Sequence, residues 1–160
     1  MSGKPPINSI LFKTAKLAMM LCWLALLIQT FNKFNVSLWQ GNVVLSLLTV
    51  ILFTSGSIFQ FIAYINLGKN LKFGIPDKDE ENQSTLIVKG IYRISRNPMY
   101  VGFYLITIAS CLYVLNPFVW AMVVFTLTVH HYIILKEEQF LSKKFGDEWL
   151  GYTKKVRRYL

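Results

Sequence analysis

The chain has 160 residues, of which 54% are hydrophobic and only 16% charged, whereas charged residues make up about a quarter of an ordinary soluble domain. This composition excludes a soluble globular domain and predicts one integral membrane domain over residues 1–160. The net charge of +9 is accompanied by no nucleic-acid-reading motif, and the basic residues flank apolar segments, so we expect membrane lipids and no nucleic acid as partners.

Two apolar stretches open the chain. The first is predicted to be a retained membrane span at about residues 12–31, because no small-residue cleavage site follows it as it would a signal peptide. The second, at about 43–67, is long enough to cross about 30 Å of hydrocarbon. It carries small residues around Gly56 that allow close helix packing. Gln60 is expected to face protein, with a part in a substrate groove as the alternative.

A polar segment separates these spans from the rest of the chain. Its acidic cluster, DKDEE at 77–81, lacks the alternating ligands and the glycine of a calcium-binding loop. We therefore interpret it as a solvated loop.

Two further apolar runs, at about 99–115 and 117–135, are predicted to be the third and fourth spans. Only Asn116 and Pro117 separate them, so the two helices must form an antiparallel hairpin. Asparagine is a favourable N-cap and proline suits the first helical turn. The hairpin returns the chain to the side from which it started, which brings the residues before the third span close to those after the fourth.

Charge distribution supports the same topology. With four spans, all of the 17 lysines and arginines except Lys33 fall on one side of the membrane. Basic short loops stay in the cytoplasm, so both ends of the chain are predicted to be cytoplasmic. The membrane would be the inner membrane of a bacterium or the endoplasmic reticulum of a eukaryote.

The segment after the fourth span is predicted to form an interfacial amphipathic helix. Leu141, Phe145 and Trp149 fall on one face at helical spacing. Basic residues surround them and are interpreted as contacts to lipid headgroups; these are Lys143, Lys144, Lys154, Lys155, Arg157 and Arg158.

Two polar motifs flank the predicted hairpin. GIYRISRNPMYVG, at 90–102, resembles the G-x-Y-x-x-x-R-H-P-x-Y-x-G signature of the isoprenylcysteine carboxyl methyltransferases and related phospholipid methyltransferases. EEQFLSKKFGDEWLGYTKKV, at 137–156, is similar to their E-E-x-x-L-x-x-x-F-G-x-x-[YW]-x-x-Y-x-x-x-V segment. Two separated motifs in the right order, with a hairpin between them, are more specific than either motif alone.

The resemblance implies an S-adenosyl-L-methionine pocket within about residues 84–156. Carboxylates suit the ammonium and ribose of this cofactor, amide or guanidinium donors suit its carboxylate, and aromatic faces suit its sulfonium. The implied cofactor-binding residues are Thr85, Leu86, Ile87, Gly90, Tyr92, Arg96, Asn97, Pro98, Met99, Tyr100, Glu137 and Glu138.

The sequence departs from the family pattern in two places. Asn97 stands where the family has histidine, and asparagine cannot take up a proton near neutral pH, so general-base catalysis at this position is excluded. No arginine precedes the paired glutamates, where prenylcysteine-methylating relatives contact substrate; residues 133–135 are Ile-Ile-Leu. The second departure affects the expected substrate rather than the cofactor.

His130 and His131 precede the glutamates by two helical turns. This spacing is about 10 Å, too far for His131 and Glu138 to share one metal ion, so no metal site is expected. We expect buried, hydrogen-bonded histidines, with a substrate role alongside Gln60 as the alternative.

The expected function is methyl transfer from S-adenosylmethionine to a lipophilic acceptor that enters from the bilayer. A prenylcysteine-like carboxylate is the acceptor most similar by family, and a phospholipid amine or a small thiol is the alternative. A sterol-reductase-like enzyme using NADPH and a non-catalytic membrane scaffold remain as rival hypotheses. The residues alone assign no catalytic group and no oligomeric state.

Overall fold

The computed structural model describes residues 7–35, 43–68 and 85–160. The acidic cluster at 77–81 lies outside these residues. The described part of the chain is helical, which confirms the predicted all-α class. Its elements are the α-helices α1 (Ser9–Asn35), α2 (Val43–Leu67), α3 (Pro98–Tyr113) and α4 (Pro117–Lys155), with a 3-10 helix (Gly90–Arg93) before α3.

Three of these helices, α1, α2 and α4, are long and apolar enough to cross a membrane. The fourth, α3, is equally apolar but has 16 residues, or about 24 Å, against a hydrocarbon core of about 30 Å. Large apolar side chains project outward from the helices; Phe118 is 78% exposed and Phe61 66%. Such a surface is stable in lipid rather than in water, so the fold is that of a membrane protein.

The turn between α3 and α4 has the predicted hairpin geometry. The Asn116 side chain accepts a hydrogen bond from the Phe118 amide at 2.8 Å, and Pro117 occupies the first turn of α4. Trp120 Nε1 donates to the Cys111 carbonyl at 3.1 Å across the turn. The first residues of α3 consequently lie beside the middle of α4.

The helix α1 packs antiparallel to α4. Ala15, near the start of α1, is buried against Val129 and Ile133, and Cys22 is buried against Val119 and Val123 near the start of α4. Small side chains on α1 let the two backbones approach, as is usual where helices pack within a membrane.

The helices α2 and α3 cross at two glycines. A Cβ placed at Gly102 would lie 2.6 Å from both the Gly56 carbonyl oxygen and Gln60 Cγ. No side chain fits into such a gap, so glycine on each helix is required for this crossing. The predicted close packing around Gly56 is confirmed, and α3 is its partner.

Beyond residue 135, where the fourth span is predicted to end, the chain continues as α4. Residues 136–145 contain no helix-breaking side chain. The helix is broken only at Gly146, whose φ of 49° and ψ of −119° kink the backbone before it resumes towards Lys155. Trp149 and Tyr152 beyond the kink are buried.

Candidate functional site

Glu138 is the centre of a polar cluster at the mouth of the hairpin. Its Oε1 accepts hydrogen bonds from Arg96 Nε at 3.2 Å and from Asn97 Nδ2 at 2.9 Å. Its Oε2 accepts from Arg96 Nη2 at 3.2 Å and from Arg158 Nε at 3.0 Å. The side chains of Glu138 and Arg96 are only 9% and 10% exposed. Both carboxylate oxygens are therefore engaged by protein donors, in a bidentate pair with Arg96.

Residues 156–158, which follow α4, also contact this cluster. The Arg96 amide donates to the Arg157 carbonyl at 3.0 Å, and Ser95 and Arg157 form an isolated parallel bridge. Ser95 Oγ donates to the Arg158 carbonyl at 3.3 Å. These contacts fasten the stretch before α3 to the residues after α4, which holds the Arg158 guanidinium beside Glu138.

Arg158 has a partner that the sequence does not predict. Its guanidinium binds Glu138 rather than projecting only towards lipid headgroups; Nη2 lies 2.9 Å from Oε2. In sequence Arg158 belongs to a run of basic residues after α4, and charge alone does not distinguish the member that turns inward. Ser95 was missed as well, since a lone serine within a motif carries no signal of its partner.

Glu137 has different surroundings although it is the next residue. Its Oε1 accepts a hydrogen bond from Tyr100 Oη at 3.0 Å. Lys16 of α1 is close enough for its charge to act on the carboxyl group. Glu137 therefore lies where α1, α3 and α4 meet, and it joins the two predicted motifs through Tyr100.

The two neighbouring carboxyl groups ionise differently. Burial raises the pKa of Glu137 to about 7, although the Tyr100 hydrogen bond and the Lys16 charge act in the opposite direction. Burial also acts to raise the pKa of Glu138, but the hydrogen bonds from Arg158 and Arg96 outweigh it, and this pKa lies below its ordinary value. At neutral pH Glu138 is a fixed anion, whereas Glu137 is shared between its charged and protonated forms.

The 3-10 helix places Tyr92 at the same site. Tyr92 is buried, and its carbonyl accepts a hydrogen bond from Tyr152 Oη at 2.6 Å. Burial raises the pKa of Tyr92 to about 12, and the charge of Glu137 adds to the shift, so the two side chains are neighbours and the phenol is neutral. Thr85 is exposed and Leu86 half-buried at the approach, while Ile87 packs against Tyr92 and its cluster.

The backbone conformation at residue 90 requires glycine. Its φ is +60°, and a Cβ there would lie 1.6 Å from Asn66 Oδ1 at the end of α2. Glycine adopts this left-handed conformation without strain, and it has no Cβ that would collide with Asn66. In this structure the group that approaches the Gly90 backbone is the Asn66 side chain.

The histidines lie on different surfaces of α4. His130 is buried, and its Nδ1–H donates to the Thr126 carbonyl at 2.8 Å, which agrees with the structural interpretation. His131 is exposed, so the prediction of a buried ring is wrong for this residue, although its Nδ1 lies 2.5 Å from Tyr159 Oη. The structure does not bring either ring to Glu138.

Pro98 and Met99 begin α3 beside the cluster. Pro98 is buried at the first turn, and Met99 packs towards α2 and Tyr92. Gln60 lies against Gly102 and shares a groove with Met99. Of the predicted site residues, Arg96, Asn97, Tyr92, Tyr100 and the two glutamates come together. The His130 ring lies 6.2 Å from the Tyr100 ring between centroids.

Comparison with known proteins identifies the family to which the chain belongs. A sequence model of the family described as phospholipid methyltransferase matches residues 43–148, which include α2, α3 and both glutamates. A protein of Haemophilus influenzae described only as uncharacterized is 40% identical over 63 residues, covering 39% of this chain and all of that protein.

Two enzymes are similar over most of the chain. The protein-S-isoprenylcysteine O-methyltransferase of Xenopus laevis is 30% identical over 115 residues, which cover 70% of this chain and 39% of that protein. The enzyme of that name from Saccharomyces cerevisiae is 32% identical over 116 residues, covering 71% of this chain and 46% of that protein. The chain thus spans less than half the length of these two relatives. The family resemblance carried by the two motifs is confirmed: this chain belongs to the phospholipid methyltransferase family.

Proposed function

We propose that this protein is an integral membrane methyltransferase that moves a methyl group from S-adenosyl-L-methionine to a lipophilic acceptor. The observation that carries the proposal is the meeting of Glu137, Tyr100 and Tyr92 at the mouth of the α3–α4 hairpin. Family membership favours methyl transfer over the reductase and scaffold hypotheses.

The residues present fit the chemistry of this cofactor. Glu137 offers a carboxylate to an ammonium or to ribose hydroxyls, and Tyr92 and Tyr100 offer aromatic faces to a sulfonium. Residues 85–87 would line the pocket at the approach to the 3-10 helix. When bound, the cofactor supplies an electrophilic methyl group.

Glu138 has a supporting role in this proposal. Its oxygens are engaged by Arg96, Asn97 and Arg158, so it holds the segment before α3 in position rather than meeting a ligand itself. Asn97 uses its Nδ2 on Glu138 and on the Arg158 carbonyl. We therefore assign Asn97 to the framework of the pocket.

The preferred acceptor is a carboxylate of the prenylcysteine type. A carboxylate is already anionic and needs no base, which agrees with the absence of a titratable group at Asn97. Bound S-adenosylmethionine would supply its methyl group to the carboxylate oxygen, and the products would be a methyl ester and S-adenosylhomocysteine. The protein contributes by aligning the two groups and by excluding water.

A phospholipid amine is the second candidate acceptor. The description of the family favours it, and Glu137 could accept the proton that an ammonium must lose before it attacks, because its pKa is about 7. The identity of the methylated product separates the two candidates.

For the membrane, we propose four crossings with α3 as the shortest and both chain ends in the cytoplasm. The site would then lie at the cytoplasmic interface, where a water-soluble cofactor and a membrane-dissolved acceptor can meet. With four crossings, all lysines and arginines except Lys33 fall on one side, which supports this orientation.

The test is incubation of purified protein with methyl-labelled S-adenosylmethionine and either N-acetyl-S-farnesylcysteine or phosphatidylethanolamine, followed by identification of the labelled product. A base-labile methyl ester is expected from the first acceptor. N-methylated lipid would favour the second candidate. No labelled product from either acceptor or from a total lipid extract would contradict the proposal.

A further inference from the structure

Residues 156–159 run back along the candidate site after α4 ends, and we call these four residues the strap. Arg96 Nη1 donates a hydrogen bond to the Val156 carbonyl at 3.0 Å, and the Arg96 amide donates to the carbonyl of the next residue, also at 3.0 Å. Asn97 Nδ2 donates to the Arg158 carbonyl at 3.2 Å. The strap therefore lies alongside the segment that leads into α3.

The strap ends between the two helices of the hairpin. Tyr159 Oη lies 2.5 Å from Nδ1 of His131 on α4. The Tyr159 ring lies 6.0 Å from the His131 ring and 5.7 Å from the ring of Tyr104 on α3, between centroids. At its other end, the Val156 amide donates to the Tyr152 carbonyl at 3.0 Å. The strap is thus attached at both ends.

The position of His131 makes its contact with Tyr159 important. His131 belongs to the predicted fourth span and precedes Glu138 by seven residues, or about 10 Å along the helix. Water is scarce at this depth in a membrane, so a phenol and an imidazole need protein partners there. Separating the two side chains would leave both polar groups unsatisfied, which is less favourable in hydrocarbon than in water.

The contact at Tyr159 bears on Glu138 through the preceding residue. The Arg158 side chain is 36% exposed, so solvent competes for its pair with Glu138. The bridge at Arg157 turns the chain inward, and fixing Tyr159 limits the conformations that Arg158 can then adopt. A side chain that is already restricted loses less entropy when it forms an ion pair.

We propose that His131 and Tyr159 are positioning residues, whose contact anchors the strap and keeps Arg158 on Glu138. The anchored strap in turn holds residues 95–97 in the conformation that the cofactor pocket requires. This last step rests on the proposed function, whereas the anchoring itself does not. Neither side chain is assigned a contact with the cofactor or the acceptor.

The first test measures the anchor without any ligand. Hydrogen-exchange mass spectrometry of the full chain in lipid nanodiscs follows a peptide covering residues 94–97, which includes the Arg96 amide bonded to the strap. Tyr159→Phe and His131→Leu each remove the anchoring hydrogen bond. His131→Asn keeps a polar group near the position of Nδ1, and Tyr132→Phe, at an exposed position on α4, is the control.

Exchange of this peptide should be about fivefold faster in Tyr159→Phe and in His131→Leu, the effect of one hydrogen bond on local opening. The double variant should exchange no faster than either single variant, because both substitutions remove the same bond. His131→Asn and Tyr132→Phe should exchange as wild type does. Unchanged exchange in the two single variants, or effects that multiply in the double variant, would overturn the anchor.

The second test connects the anchor to the site through equilibrium binding of S-adenosylhomocysteine. Tyr159→Ala, which removes the ring as well as the hydroxyl, should weaken binding tenfold or more. Its effect and that of Arg158→Met should be less than additive, because Tyr159 acts through Arg158. Unchanged binding by Tyr159→Ala, or full additivity, would overturn the positioning role. Absence of binding by the wild type would instead remove the proposed function, and the exchange measurements would still decide the anchor.

Discussion

Glu137 and Glu138 are adjacent on α4, yet Glu138 belongs to an ion-pair cluster and Glu137 to a junction of three helices. Glu138 is surrounded by two guanidinium groups and an amide, and these keep it ionised. Glu137 has a tyrosine hydroxyl as hydrogen-bond donor, and burial brings its pKa to about 7. Two adjacent carboxyl groups of one motif therefore differ in partners and in ionisation, and in the function proposed above Glu138 fixes the backbone while Glu137 meets the ligand.

The largest effect is expected from Glu138→Gln. The substitution leaves Arg96 and Arg158 without their buried counter-ion, which should lower the free energy of unfolding by about 3 kcal/mol. Denaturant unfolding in detergent micelles measures it. Glu148→Gln, on an exposed part of α4, is the matched control and should change little. Equal stability of the two variants would show that the cluster is not structural.

The pH dependence of unfolding should be opposite for the two glutamates. The pKa of Glu138 is lowered in the folded state, so its contribution is present above the unfolded pKa of about 4.3 and is lost as pH falls through the lower folded value. The pKa of Glu137 is raised, so its contribution is present below about 4.3 and is lost as pH rises through about 7.

Two variants separate these contributions. Glu138→Gln should remove part of the acid-induced loss of stability, and Glu137→Gln part of the loss between about pH 4.3 and 7. Unfolding of both variants and of wild type across pH 3–8 provides the measurement. Identical pH profiles for the two variants would contradict the division of roles.

Arg158→Met tests the contact that the sequence did not reveal. The side chain is 36% exposed, so we expect a loss of about 1.5 kcal/mol, smaller than for a fully buried pair. Arg157→Met is a close control, because Arg157 acts through its carbonyl and its side chain is not needed for that bond. A greater loss for Arg157→Met would refute the assignment.

The smallest effect is expected at Tyr100. Tyr100→Phe removes the hydrogen bond to Glu137 and should cost about 1 kcal/mol while raising the pKa of Glu137 further, because that bond lowers it. Infrared titration of the carboxyl band can follow the pKa. Tyr132→Phe, at an exposed position on α4, should leave the band unchanged.

Much of this architecture follows from the sequence. The composition predicts the membrane class, and the Asn116-Pro117 turn predicts the hairpin that brings Tyr100 to Glu137. The two motifs predict the family because their residue types and spacing are specific. Gly56 predicts close helix packing, because small residues within a membrane span let two helix backbones approach each other.

The remaining features depend on tertiary contacts that one sequence does not encode locally. Arg158 resembles the other basic residues after α4, and only the bridge between Ser95 and Arg157 turns it inward. The fourth span is predicted to end at 135 because the residues change there from apolar to polar, but this change does not reveal that the helix itself continues to Gly146. The difference between the two glutamates arises from burial and partners that appear only after folding.

The most direct test of the account is equilibrium binding of S-adenosylhomocysteine to the purified protein as a function of pH. A ligand cation favours the ionised form of Glu137, so affinity should rise as pH approaches about 7 and level off above it. Glu137→Gln should bind several-fold more weakly and lose this dependence, while Glu148→Gln behaves as wild type. Absence of binding by the wild type, or an unchanged pH profile in Glu137→Gln, would contradict the assignment of Glu137 to the cofactor pocket.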